Sequence, residues 1–263
     1  MLAKLMSLLL LGIVRLLTGS QARWYGCPPK AEQRIYFANH QSHADMVLIW
    51  AALPEELRSI TRPIAAKDYW TKTPLRQWIT TAVFNAVYVD RQATPPRATA
   101  PVTAETVDNS PGATPDAATG QAPAGGPDPS PQPADTDTDT AARPPSPEAL
   151  RAALPDTDPL APLVRALDSG DSIVIFPEGT RGHGDEPQLF KSGLFKLAQM
   201  FPQVVLVPAW INNVQRVMPK GEVVPVPILC SVTFGAPIAL EAGEERRSFL
   251  DRARRAVIAL REV

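Results

Sequence analysis

Residues 34–45 read RIYFANHQSHAD, an apolar run that passes directly into a polar loop. The run mixes β-branched and aromatic side chains, which predicts a short strand over residues 34–38. The apolar residues beyond the loop predict a helix from about Ser42 to Leu53, with Ser42 as its N-cap. This strand, loop and helix form the kind of unit from which α/β folds are built.

The same alternation recurs along the chain. Further strands are predicted at residues 86–89, 172–176, 204–208 and 229–234, and helices at 75–82, 160–167, 193–200 and 244–261. Strands separated by helices indicate a single α/β domain with a largely parallel central sheet flanked by helices. In such sheets ligands bind beyond the carboxyl ends of the strands, so we expect the functional residues there.

A proline-rich segment interrupts this pattern. Residues 92–148 hold 13 of the 29 prolines and no Leu, Ile, Phe, Tyr or Trp. Such a composition buries too little apolar area to offset the entropy of ordering the chain, so we predict a disordered acidic insertion over residues 92–158. The domain is then assembled from residues 23–91 and 159–263.

The N-terminal residues 1–22 predict a membrane-associating helix. They are strongly apolar but include Lys4 and Arg15, and the longest uninterrupted apolar run covers only residues 8–14. A membrane-spanning helix needs about 20 mostly apolar residues, which favours a helix lying in the headgroup layer. A secretory signal remains an alternative, because Lys4, the leucine run and residues 20–22 imitate its three regions.

Charge and cysteine content exclude several classes of protein. The 263 residues carry 26 Lys and Arg against 27 Asp and Glu, a formal net charge of -1. This balance argues against a polycation built for nucleic acid, and we expect no nucleic-acid partner. Cys27 and Cys230 are far apart and lack CxxC spacing, which predicts neither a disulfide framework nor a zinc knuckle and favours a reducing compartment.

The loop after the first strand carries His40 and, five residues later, Asp45. The spacing lets the carboxylate hold one imidazole nitrogen and leaves the other free to accept a proton. No GxSxG motif supplies a nucleophile, so the hydroxyl to be deprotonated would belong to a substrate. A metal site formed by His40, His43 and Asp45 is the weaker alternative, because a catalytic zinc needs a third firm protein ligand.

A second cluster follows the strand predicted at residues 172–176. It reads FPEGTR over residues 176–181, where Pro177 ends the strand and Gly179 allows a tight turn. Arg181 would project from this loop at the ligand edge of the sheet. Its planar, permanently charged guanidinium is suited to bidentate contact with a phosphate.

With these blocks the sequence resembles the glycerolipid acyltransferases of the 1-acylglycerol-3-phosphate acyltransferase type. That family is marked by NHxxxxD (the HxxxxD motif), a second block ending in Arg, FPEGTR and a late apolar block with proline. Here they correspond to residues 39–45, 65–91, 176–181 and 207–209. Where the family often has glycine six residues before the second-block arginine, this chain has Asn85, which can also adopt positive φ.

The resemblance implies acyl transfer from acyl-CoA or acyl carrier protein to the free hydroxyl of 1-acyl-sn-glycerol 3-phosphate, giving phosphatidic acid in phospholipid biosynthesis, with no cofactor. It makes His40 the base and Asp45 its orienting partner. The substrate-binding residues that it implies are Lys67, Arg91, Glu178, Gly179, Thr180, Arg181 and Pro208.

Other readings stay open at this stage. The acceptor could be another lysolipid, such as lyso-ornithine lipid, or glycerol 3-phosphate. The chain could also be a hydrolase, or a catalytically idle lipid-binding or scaffold protein. For location, we expect association with the cytoplasmic face of the inner (plasma) membrane, because both acyl donors are made in the cytosol.

Overall fold

The computed structural model describes residues 2–19, 21–42, 44–90, 145–182, 186–213 and 228–263. Residues 1–92 and 145–263 belong to one compact unit. The described strands are β1 (Gln21–Trp24), β2 (Arg34–Ala38), β3 (Thr61–Ala66), β4 (Val87–Val89), β5 (Ser172–Ile175), β6 (Val205–Asn212) and β7 (Ser231–Phe234).

The described helices lie between and beyond these strands. They are α1 (Leu2–Thr18), α2 (Asp45–Ala52), α3 (Glu55–Ser59), α4 (Lys67–Trp70), α5 (Pro74–Trp78), α6 (Pro147–Ala152), α7 (Ala161–Asp168), α8 (Gly193–Met200) and α9 (Arg246–Ala259). A π-helical turn, Ile79–Val83, continues α5, and a 3₁₀ turn, Leu260–Glu262, continues α9.

The described strands form one seven-stranded sheet in the order β1-β7-β6-β2-β5-β3-β4. Neighbouring strands run parallel except β6 and β7, which are antiparallel. The predicted α/β domain with a largely parallel sheet is therefore confirmed. Since β2, β3, β5 and β6 run the same way, the loops that follow them meet at one edge of the sheet.

The sheet is buried on both faces. On β2, Ile35 and Phe37 enter one apolar cluster with α7, α8 and α9, while Tyr36 and Ala38 enter another with α2. Successive side chains of a strand point to opposite faces, so a continuously apolar strand fits only between two layers of helices. This is why the central strands lack a polar alternation.

Two predicted boundaries need correction. The insertion predicted to end at residue 158 ends earlier, since α6 lies within it: Arg151 donates a hydrogen bond to the Met200 carbonyl at 2.6 Å and lies over the Phe201 ring. The rest of the predicted insertion, residues 92–144, lies outside the described residues. The predicted N-terminal helix is present but ends at Thr18, and Gln21 and Ala22 already belong to β1.

The N-terminal helix α1 packs on the domain with one side only. Leu10, Leu11 and Val14 contact the cluster that includes Trp50 and Phe84. Among the described residues, no helix is both long and apolar enough to cross a membrane.

Candidate active site

The loop after β2 begins with an anchored asparagine. The Asn39 side chain is fully buried and exchanges two hydrogen bonds with the backbone of Ile211 on β6, donating at 3.0 Å and accepting at 2.8 Å. Buried polar groups need such partners, and both ends of this amide are satisfied. The anchor fixes the point at which His40 leaves the sheet.

His40 and Asp45 lie in direct contact, as the spacing predicts. His40 Nδ1 is 2.8 Å from Asp45 Oδ2, and the carboxylate is fully buried. The same oxygen accepts the backbone N–H groups of Gln41 at 2.6 Å and Ser42 at 2.9 Å. Asp45 therefore holds the imidazole and closes the loop at the same time. With Nδ1 engaged, Nε2 is the nitrogen left to accept a proton.

Ser42 is not the N-cap of the helix. Helix α2 begins at Asp45, after Ala44, and the Ser42 hydroxyl accepts the Ala44 N–H at 3.2 Å. The Asp45 carboxylate at the start of the helix turns back and accepts the N–H groups of Gln41 and Ser42, which precede the helix. These hydrogen bonds to a charged acceptor hold residues 41 and 42 in the loop rather than in the helix.

The FPEGTR loop holds His40 from the other side. Glu178 Oε1 accepts the His40 N–H at 2.7 Å, and the Gly182 N–H donates to the His40 carbonyl at 2.7 Å. Glu178 Oε2 accepts the Gln188 N–H at 2.8 Å. The Phe176 ring stacks on the imidazole, with centroids 4.4 Å apart. Both the backbone and the ring of His40 are thus positioned by this loop.

Glu178 is almost completely buried, and burial raises the pKa of its carboxyl group. The two backbone N–H groups that it accepts act in the opposite direction, because they stabilise the ionised form. Its contacts join two loops. This carboxylate is a structural link between two parts of the site, and the substrate contact that the family resemblance implies for it stays a prediction.

A cavity of about 270 Å³ opens beside the imidazole. His40, Gly179 and Lys191 line it together with apolar side chains from β3, β4, β5, α7 and α8, among them Ile64, Val89 and Leu194. Gly179 has φ +72, and a Cβ there would lie 2.6 Å from Lys191 Nζ, so the lysine lies directly over the glycine. The cavity combines an apolar wall with one base and one ammonium group.

Comparison with known proteins identifies the family to which this chain is related. A family model described as Acyltransferase matches residues 27–114 and 150–212, more than half of the chain, and it includes the His40 loop and the FPEGTR loop. The chain belongs to the acyltransferase family. A comparison with curated proteins found no match.

The acyltransferase also resembles a solved structure, that of the 1-acyl-sn-glycerophosphate (LPA) acyltransferase PlsC from Thermotoga maritima. The two share 18% sequence identity with a TM-score of 0.55, over 99% of this chain and 78% of that one. At this identity the match supports the fold, which agrees with the sheet described above.

The other residues implied by the resemblance fall at different places in this acyltransferase. Thr180 and Arg181 are exposed on the FPEGTR loop, two and one residues before the Gly182 contact with His40. Lys67 begins α4 next to Ala66 of the cavity wall, and its Nζ lies 3.5 Å from Asp90 Oδ2. Arg91 lies outside the described residues, as does His43 of the metal alternative.

Pro208 is not among the residues that line the cavity beside His40, and the part in substrate binding that the resemblance implies for it stays a prediction. It lies in the interior of β6, in register with Phe37 of β2, and its ring faces Gly235, where an added Cβ would lie 3.2 Å away. In the folded chain it packs within the sheet. The direction of a side chain in a strand depends on register, which a proline motif alone does not reveal.

Two site features were not predicted from the sequence. The NHxxxxD motif contains Asn39 without indicating its contact with Ile211, and Lys191 lies ten residues beyond the FPEGTR block, where it fits the family pattern without an implied role. A polar residue directly after a buried strand was an available signal for Asn39, because it must find a partner at the sheet edge. Lys191 offered no local signal, since its position over Gly179 depends on the folded loop.

Proposed function

We propose that this acyltransferase moves a fatty acyl group from acyl-CoA or acyl carrier protein to the free hydroxyl of 1-acyl-sn-glycerol 3-phosphate, which yields phosphatidic acid. The single observation that carries the proposal is the His40–Asp45 pair at 2.8 Å beside an apolar cavity that also contains an ammonium group. Membership of the acyltransferase family supports acyl transfer. The choice of acceptor takes support from the activity named for PlsC.

The proposed chemistry is direct transfer with no acyl-enzyme. His40 Nε2 takes the proton of the acceptor hydroxyl as its oxygen attacks the thioester carbonyl. The carbonyl carbon then carries both oxygens and the sulfur, until the C–S bond breaks and the thiolate leaves. The proton passes from His40 to the departing sulfur. Asp45 carries the countercharge while the imidazole is protonated, and the cycle needs no cofactor.

The lining of the site supports a lipid substrate with a phosphate. The apolar wall formed by Ile64, Leu163 and Leu194 suits an acyl chain, since transfer of methylene groups from water is worth about 0.8 kcal/mol each. Lys191 in the cavity and the exposed Arg181 of the FPEGTR loop are suited to the phosphate. We assign Lys67 and Arg91 to the same anion as part of the proposal.

We further propose that the enzyme works at a membrane surface, on the cytoplasmic face of the inner membrane. The support is α1, whose outward side exposes Leu2, Leu5, Leu8, Leu9, Ile13 and Leu16. An apolar helix face of this kind is suited to the boundary between head groups and acyl chains. The double variant Leu5→Glu with Leu9→Glu should abolish co-sedimentation with vesicles. Leu189→Glu, at a leucine outside α1 that is also exposed, is the control, and an equal loss there would contradict the assignment.

The activity is tested with purified protein, lysophosphatidic acid and labelled acyl-CoA or acyl carrier protein, with products separated by mass spectrometry. We expect phosphatidic acid to form only when the acceptor is present, and His40→Ala to lower the rate at least a hundredfold with the melting curve unchanged, since general base catalysis contributes about 10²- to 10⁴-fold. Free fatty acid as the main product with and without acceptor would indicate a hydrolase. An equally active His40→Ala variant would remove His40 from the mechanism.

A further inference from the structure

A second cavity, of about 520 Å³, lies between α1, the end of α2, α3 and the π-helical turn. We refer to it as the α1–α3 groove. Its lining residues are different from those of the cavity beside His40. Nothing in the reaction proposed above makes use of it. Its volume is within the range of small-molecule sites in proteins.

Positive charge converges on the α1–α3 groove. Lys4 and Arg15 reach it from α1, and Arg58 reaches it from α3, against one carboxylate, Glu55. Lys4 and Arg15 share one stripe of α1 with Leu8 and Leu11, because residues three or four apart lie on the same helix face. The groove therefore pairs a cationic rim with an apolar wall along the same helix.

The described protein groups use only part of the hydrogen-bonding capacity of the Arg58 guanidinium. Its Nη2 donates to the Leu53 carbonyl at 2.8 Å, and its guanidinium lies over the Trp50 ring, 4.9 Å from the centroid. Its Nε is buried and has no hydrogen-bond partner in the part of the chain that the structure describes. Burial, followed by the charge of Arg15, lowers the pKa of Arg58, while Glu55 acts in the opposite direction. The groove thus contains positive charge that the described protein groups do not fully neutralise.

We propose that the α1–α3 groove binds the phosphate-bearing head group of an anionic phospholipid, at a site separate from the active-site cavity. A phosphate group supplies negative charge between Arg58 and Arg15, and charged guanidinium groups make strong hydrogen bonds to phosphate oxygens. The groove is continuous with the exposed leucines of α1 through Leu8, which lines it and is 66% exposed. The head group lies among the cations, and the first methylenes of a chain lie along Leu8 and Leu11.

A lipid occupant is favoured over free phosphate, because inorganic phosphate would leave the apolar wall of the groove in contact with water. Trp50, Leu8 and Leu11 offer apolar area that inorganic phosphate does not cover. Burying apolar surface is worth about 25 cal/mol per Å², so a chain attached to the head group strengthens binding. The inference does not rest on the proposed catalytic reaction, since binding to the groove requires no turnover.

Binding is measured by titration calorimetry with a short-chain phosphatidylglycerol kept below its critical micelle concentration, so that no bilayer is present. We expect saturable binding of one lipid per chain. Arg15→Gln and Lys4→Gln, at exposed positions on α1, should each weaken it at least fivefold. Arg247→Gln removes the same charge from an exposed position on α9 and should leave the affinity within a factor of two.

Lys191→Gln separates this site from the active-site cavity. We expect it to leave the lipid affinity unchanged; a loss with Lys191→Gln but not with Arg15→Gln would place the lipid in the catalytic cavity and overturn the proposal. Inorganic phosphate should compete at least tenfold more weakly than the lipid, and equal competition would also overturn it. Binding that requires intact vesicles would show only general attraction to a surface, and equally strong binding of short-chain phosphatidylcholine would show no preference for an anionic head group; either result would overturn the proposal.

Discussion

Replacing Asp45 with Asn tests whether the carboxylate stabilises a charged imidazole or only shapes the loop. The Asn side chain can place its oxygen where Oδ2 accepts three hydrogen bonds from His40, Gln41 and Ser42. Its amide nitrogen then takes the place of Oδ1, which has no partner among the described residues. The loop is retained at a cost of about 1–3 kcal/mol in the free energy of unfolding, since a charged acceptor becomes neutral and an N–H group is left unsatisfied.

The effect on catalysis should be larger. With Nδ1 and Oδ2 in hydrogen-bond contact, the charge centres of an imidazolium and the carboxylate lie about 4 Å apart, and they attract by about 4 kcal/mol at an effective dielectric constant of about 20. Since a tenfold change in rate corresponds to about 1.4 kcal/mol, we expect kcat for Asp45→Asn to fall about a thousandfold.

The assay is phosphatidic acid formation at saturating acceptor and donor, with unfolding followed by circular dichroism. Asp171→Asn is the matched control, because this carboxylate pairs with Arg62 at the opposite edge of the sheet, and kcat should change less than twofold. His40→Ala combined with Asp45→Asn should be no slower than His40→Ala alone, as groups that act as one unit are not additive. If Asp45→Asn keeps more than a tenth of the wild-type kcat, the carboxylate only closes the loop and the reasoning fails.

Three further predictions concern the FPEGTR loop and the buried acids. Gly179→Ala forces a β-carbon into positive φ and against Lys191, so we expect a loss of about 1–2 kcal/mol in urea unfolding and a lower kcat/KM. Arg181→Ala should raise the KM of the acceptor more than that of the donor in steady-state kinetics; the reverse order would reassign it to donor phosphates. Burial raises the pKa of Cys230 to about 11 and that of Tyr36 to about 12, so the folded chain retains protons that the unfolded chain releases from about pH 8.5 upward. The free energy of unfolding should therefore fall steadily between about pH 8.5 and 12, and a flat profile would contradict these shifts.

The elements that the sequence predicts well are those whose signal is local. The strand over residues 34–38 and the helix over residues 193–200 match β2 and α8, because a run of β-branched and aromatic residues or a helical apolar period is visible without tertiary information. Asn85 has φ +48, as expected for an asparagine in place of a glycine. The contact between His40 and Asp45 also follows from spacing within one short loop.

The elements that the sequence does not reveal depend on the rest of the fold. β3 contains Pro63, which argues against a strand, yet it lies in register with Val174 between β5 and β4. β1 is only four residues long and joins the sheet by pairing with β7. The role of Glu178 likewise depends on the folded structure, because one of its partners, His40, is distant in the sequence. Its partners are the backbone N–H groups of His40, in the loop after β2, and of Gln188, ten residues further along its own connection to α8. No pattern around residue 178 indicates either of them.

The position of the base therefore depends on both motifs as one unit. His40 receives its orientation from Asp45 in its own loop, and its backbone is held by Glu178 and Gly182 from the loop after β5. β2 and β5 are neighbours at the centre of the sheet, while β4, after which the long proline-rich segment begins, is at the edge of the described sheet. A segment inserted after β4 interrupts neither β2 nor β5, the two strands whose following loops hold His40. Because each doubling of a loop costs only about 0.6 kcal/mol, the fold tolerates that length at an edge strand, whereas the same insertion between His40 and Asp45 would separate the base from its countercharge.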